Sequence, residues 1–278
     1  MPALQLNKIL GALRFQATGT RLPVQTAHAA MWDKFAEHSE PDQRIAVPQL
    51  IPQWVRPVKP IKAHQLMADR AGQDLKDFHD TMCDAIAYAH NMWRLQAQFT
   101  PMAIAGPVVA GPPGSLSGPP LEPLIKQYPG CVVMIDYEAD YRDAVAAGMS
   151  QSFLLWQTNV TVPGLPFYPG YVMMPPGPAV PMPNVPFPLM ACVSANVSNV
   201  LAPDIMSALM MQNLPHRLVG TQWAQPIFDA ISTTVSIAMA SWLSSQMVLN
   251  ILGTGAVASP TGGPVAGMTM PTAGHLAT

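Results

Sequence analysis

The amino-acid sequence predicts a mainly α fold made of two related helical modules, each with a long amphipathic helix, joined and flanked by extended Pro/Gly-rich arms. Three observations predict it: a heptad stripe within residues 64–99, a similar segment 149 positions later, and three stretches too rich in proline for regular structure.

The stripe consists of Ala71, Leu75, Phe78, Met82, Ala85, Ala89, Met92, Gln96 and Phe99, spaced alternately by four and three residues. That spacing keeps one face of a helix apolar and puts Asp74, Lys76, Asp77, Asp84 and Arg94 on the other. The predicted helix runs over 64–99, about 50 Å at 1.5 Å per residue. Thr100-Pro101 stops it.

Residues 79–114 lie over 228–263 with six identities: Asp80/Asp229, Ala89/Ala238, Trp93/Trp242, Gly106/Gly255, Val108/Val257 and Gly114/Gly263. Both segments read as a helix with an acidic start, suited to the positive end of its dipole, a tryptophan near its end, and a Gly/Val tail. In the second copy the apolar rhythm is Phe228, Ile231, Val235, Ala238, Trp242, Ser245 and Leu249, and the opposite face carries Ser, Thr, Ile and Met in place of charge. The domain division that follows is 1–135 and 136–278.

Shorter helices are predicted over 4–16, 26–38, 141–156, 191–200 and 203–213, the last opening on a favourable Pro-Asp first turn. A single strand is predicted over 131–136. Residues 48–60, 101–129 and 162–188 are read as extended arms. The last holds ten prolines with Phe167, Tyr168, Tyr171 and Phe187 interleaved, a composition suited to a polyproline-like arm laid along a surface. With Trp93 and Trp242, these aromatics are the expected interaction residues.

Charge is scarce and uneven. Only 11% of residues are charged, against about 25% in ordinary soluble domains. Of 30 charged side chains, 27 precede Ala144, and only Asp204, Arg217 and Asp229 follow. A net charge of −2 without clustered Lys and Arg gives no footprint for phosphate, so no nucleic-acid binding is expected. A second half this poor in charge is expected to be covered by other protein.

Chemical motifs are sparse. His79, Cys83 and His90 share one side of the long helix and are soft or nitrogen donors of the kind that hold zinc. Their counterparts 149 positions on, Phe228, Ser232 and Met239, cannot do so, and no metal site is expected. Asp136, Glu138, Asp140 and Asp143 offer oxygen ligands but lack EF-hand spacing, and read as a solvated turn entering a helix. Gly253-Thr-Gly255 reads as a helix stop. No Gly-x-Ser-x-Gly elbow or His-Glu-x-x-His is present, so neither an enzyme activity nor a cofactor is expected. Cys83, Cys131 and Cys192 suggest no disulfide framework.

Residues 230–252 carry no charge and are long enough to cross a bilayer. Nine polar side chains among them, and no flanking Lys or Arg, favour burial in protein over insertion, with membrane association the alternative. The N-terminus lacks a signal-peptide pattern, which implies synthesis in a cytoplasm.

The helix with its tryptophan, running into the "GTGAV…GGPVAG" tail over 231–268, resembles small virion proteins of large tailed bacteriophages. The resemblance implies a head- or tail-associated structural role and transfers no functional residues. The expected partners are copies of the chain itself and other virion structural proteins.

Overall fold

A computed structural model describes residues 4–17, 61–99, 101–105, 108–167, 182–221, 223–257, 265–270 and 275–276. The first part of the chain forms α1 (Lys8–Ala17), α2 (Ile61–Gln96), β1 (Gln98–Phe99), β2 (Ala103–Ala105), β3 (Val108–Gly111), β4 (Leu116–Ser117), α3 (Leu121–Lys126) and α4 (Pro129–Val132). Next come α5 (Asp136–Gln157), β5 (Val162–Pro166), β6 (Met182–Pro183), β7 (Phe187–Pro188) and a 3-10 turn at Leu189–Ala191. The remainder is α6 (Ser198–Leu201), α7 (Pro203–Asn213), α8 (His216–Val219), α9 (Ala224–Ser245), β8 (Met247–Val248), β9 (Leu252–Val257) and β10 (Val265–Thr269). Helices hold the majority of the described residues, as the periodicity predicts.

The organising feature is threefold. Trp156 follows Trp93 by 63 positions, just as Trp242 follows it by 149, and at the same offsets Asp143 and Asp229 match Asp80. α5 is thus a third counterpart of α2 and α9. The three indoles meet, with ring centroids 6.1, 6.2 and 6.4 Å apart for the three pairs, a nearly equilateral triangle. The apolar side chains at matching positions of the three helices, Met82, Val145 and Ile231, then Ile86, Met149 and Val235, are all buried.

Each long helix leads into a hairpin, and the hairpins join in rotation. β3 of the first unit pairs with β5 of the second, β6 of the second with β9 of the third, and β10 of the third with β2 of the first. The order β5-β3-β2-β10-β9-β6 then closes, because Phe167 bridges Asn184 and Val185 N–H donates to Pro166 O at 2.9 Å. Closure pairs both outer strands of this six-stranded sheet with one another. β2 and β3 of 1–135 are thus flanked on both sides by strands of 136–278 in one barrel, and both stretches contribute to one continuous core.

Several local expectations change. Residues 131–136 form no strand: Pro129 starts the single turn of α4, and α5 begins at Asp136, five residues before the predicted start. The acidic run thus opens α5, with Asp136 and Glu138 in the first turn, where negative charge meets the helix dipole favourably. Gly253-Thr-Gly255 lies inside β9 and is not a helix stop, since α9 ends at Ser245. Gly255 faces Gly267 across the ladder, and Gly267 in turn faces Ile104. Residues 101–129 form β2, β3, β4 and α3 in place of an arm, and the described ends of 162–188 form β5, β6 and β7. Residues 191–200 hold only the end of the 3-10 turn and the start of α6. The helix predicted at 26–38 and the arm at 48–60 lie outside the described residues.

α9 is long and apolar enough to cross a membrane by length and composition, yet about two thirds of its apolar window is buried within the chain. The cover comes from α1, α2, α6 and α7 of the same molecule, where a partner protein was expected. Its hydroxyls are satisfied locally: Thr234 Oγ1 donates to Ala230 O at 2.9 Å, and Ser236 Oγ donates to Leu201 O. α1 approaches closely because Gly11 has no side chain; a Cβ there would lie 2.2 Å from His79 Nε2.

Candidate functional site

The pseudo-threefold axis has two ends. At one, the helices run into the barrel through the tryptophan layer; at the other, their N-terminal halves surround a cleft of about 180 Å³. Its outer lining is Asp74, Tyr137 and Trp223, each six positions before the matching Asp80, Asp143 or Asp229. Phe78, Tyr141 and Ile227, each two positions before those aspartates, line it further in. Leu75 and Glu138 complete the wall.

Aromatic packing shapes this cleft. Phe78 meets Tyr141 edge-on at 6.2 Å between ring centroids, and Tyr141 leans on Phe228 at 5.7 Å. The Tyr141 hydroxyl is 2.5 Å from Thr221 Oγ1, which pins the ring and ties α5 to the entrance of α9. The neighbouring carboxylates are occupied: Asp140 pairs with Arg217, and Asp143 with Arg142 and Lys126. Asp74 and Glu138 are exposed and have no cationic partner among the described residues.

Beside the mouth lies an apolar stretch of chain. Val132, Val133, Ile135 and Tyr137 are 62%, 74%, 70% and 64% exposed, while Met134 between them is buried at 8%. The α4–α5 connection thus presents large side chains outward and is anchored by a single inward one.

A second groove, of about 270 Å³, runs between α9 and the 3-10 turn and is lined by Trp156, Cys192, Leu201 and Leu243, with Met190 and Val193 at its rim. Burial pushes the Cys192 thiol up to about 12 and the Cys131 thiol up to about 11, so neither is a ready nucleophile. Burial, reinforced by the Asp80 carboxylate, also raises the Cys83 thiol.

The residues singled out in the sequence take different places. Trp93 and Trp242 are fully buried and contact one another and Trp156, so their interactions lie within the chain. Phe167 is buried at the seam that closes the barrel, and Phe187 is half-buried in β7. Tyr168 and Tyr171 lie outside the described residues. His79 Nδ1 meets Asp80 Oδ1 at 3.0 Å and its Nε2 meets Cys83 Sγ at 3.6 Å, whereas His90 sits farther along α2 among the tryptophans. Among the described residues no three His, Cys, Asp or Glu side chains converge as for a metal ion. The cleft residues Asp74, Tyr137, Glu138, Tyr141 and Trp223 had one sequence signal, their fixed distance from the three matching aspartates, and it is visible only once α5 is recognised as the third copy.

Set against known proteins, the chain matches no family model, no curated protein and no solved structure.

Proposed function

We propose that the chain is a non-enzymatic structural subunit of a larger symmetric assembly. The observation that carries this reading is the exposed run Val132, Val133, Ile135 and Tyr137 beside the mouth of the pseudo-threefold axis. Four large side chains left to water within six residues form the kind of contiguous apolar patch that marks a protein contact. A closed barrel and a single core supply a rigid body, and the patch supplies the face by which it docks. The sequence resemblance suggests the setting, a head- or tail-associated position in the virion of a tailed phage, with further copies of the chain and other virion proteins as neighbours. Membrane association is less well supported, because most of the apolar surface of α9 is already buried within the molecule.

The test compares the wild-type chain with Val133→Asp/Ile135→Asp. Both positions are exposed, so the double variant should keep its circular dichroism spectrum. The expected result is that wild type forms discrete oligomers in sedimentation velocity and co-purifies with particles, and that the variant does neither. A wild-type chain that stays monomeric at high concentration, or a variant incorporated normally, would falsify the proposal.

A further inference from the structure

We propose that the axial cleft binds an organic ammonium cation. Three features converge on that chemistry. The first is the wall: Phe78, Tyr137, Tyr141 and Trp223 come from all three long helix segments and enclose one small space, and aromatic π-systems attract cations within about 6 Å of the ring. The second is charge: Asp74 and Glu138 lie on opposite helices of the lining and lack a cationic partner among the described residues. The third is size: about 180 Å³ falls below the roughly 300–1,000 Å³ of drug-sized ligand sites and suits a single substituted ammonium group.

The helix dipoles sharpen the assignment. The N-terminal ends of α5 and α9 face this end of the molecule, and a bare helix N-terminus repels a cation. Affinity therefore depends on the two carboxylates. A neutral ligand of the same shape gains only from the apolar wall, so charge separates this site from a generic greasy cleft. The ligand is either a free alkylammonium compound or the lysine side chain of a docked protein; both present the same group to the same wall.

The experiment is saturation-transfer NMR on the full chain with tetramethylammonium, Nα-acetyl-lysine methylamide and tert-butanol, the last being a neutral match in shape. The expected result is transfer to both cations and little to tert-butanol. Asp74→Asn/Glu138→Gln should weaken cation binding roughly five- to tenfold, as the loss of two partly solvated charge contacts implies. Asp204→Asn, an exposed carboxylate on α7 away from the cleft, should leave binding unchanged and controls for net charge. Tighter binding of tetramethylammonium identifies a free ligand, and tighter binding of the lysine amide identifies a side chain. Equal transfer to tert-butanol, no transfer to either cation, or undiminished binding in the double variant overturns the proposal. Tyr137 belongs to both the cleft and the docking patch, so binding is measured at concentrations below those at which the chain self-associates, which lets this inference fail separately from the assembly role.

Discussion

The imidazole of His90 stands edge-on to the indole of Trp242, with ring centroids 4.4 Å apart and planes at 86°. Phe153 makes the same approach to Trp93, at 4.7 Å and 81°. His90 and Phe153 each lie three residues before their own tryptophan, so the ring before one tryptophan packs on the tryptophan of the next unit. The relation holds for two of the three units and ties α2 to α9 and α5 to α2; the third carries Met239 at the matching position, which has no ring.

His90 makes the fold sensitive to acid. Burial, together with the Arg94 guanidinium, pushes its pKa down to about 3, and burial pushes His275 down to about 4. Unfolded, both titrate near 6.5. Between those values the unfolded chain binds more protons than the folded one, so stability falls as pH drops below about 6.5. Each histidine contributes a slope of up to about 1.4 kcal/mol per pH unit. His90→Phe, which copies the residue at the matching position of α5, should flatten this dependence and gain about 2 kcal/mol over wild type between pH 6.5 and 5. Urea denaturation at both pH values measures it; an unchanged slope refutes the assignment.

His275 adds a structural consequence. Its Nδ1 accepts the Phe99 N–H at 3.2 Å, and its carbonyl accepts the Leu249 N–H at 3.0 Å, so it joins the ends of the first and third units. Protonation removes the ring acceptor. Hydrogen exchange at the Phe99 amide should accelerate as pH falls toward 4, beyond the intrinsic pH trend shown by the Leu249 amide.

The three tryptophans should be nearly equal in their contribution to stability, because all sit in one buried layer. Truncation to Ala should cost about 3–5 kcal/mol at each position. Trp156→Ala is the informative case, since the sequence match singled out only the other two. Replacement by Phe should separate them: Trp93 Nε1 donates to Gln157 Oε1 at 2.8 Å, whereas Trp242 Nε1 has no hydrogen-bond partner among the described residues. Trp93→Phe should therefore cost about 1–2 kcal/mol more than Trp242→Phe, since it strands a buried amide oxygen. Guanidinium melts of the single variants decide this.

Gly148 allows α5 to lie close against α7. A Cβ there would come within 2.7 Å of the backbone nitrogen of Met210, which cannot move without shifting a helix. Gly148→Ala should lower stability by about 1–3 kcal/mol through overpacking. Gly220→Ala meets nothing within 4 Å and should stay within about 0.5 kcal/mol of wild type. Paired thermal melts test both.

The elements legible in the sequence are those whose signal is local. The stripe of α2 and the Pro-Asp opening of α7 can be read from spacing and capping, and α7 spans Pro203–Asn213 as predicted. The third unit escaped because its seam is varied. Met82, Val145 and Ile231 occupy matching buried positions, and packing constrains total volume more than the identity of each side chain. The barrel escaped because its strands are short and broken by proline: Pro163, Pro166 and Pro183 all lie in its strands. Such strands are too short to show a clear alternation, and the pairings that close the barrel, β3 with β5, β10 with β2 and β6 with β9, join distant segments.

By itself, then, the sequence determined that this chain is mainly helical, matched the segments of α2 and α9 to each other, and left its second half nearly without charge. Local periodicity and composition suffice for those. Only the tertiary structure decided that most of the apolar window of α9 lies in the chain's own interior, that α5 brings a third tryptophan to the other two, and that Asp74, Glu138 and four aromatic side chains line one cleft. Those facts depend on which segments meet across 63 or more positions, and such meetings are chosen by the joint packing of all three units around an axis that no single stretch of residues specifies.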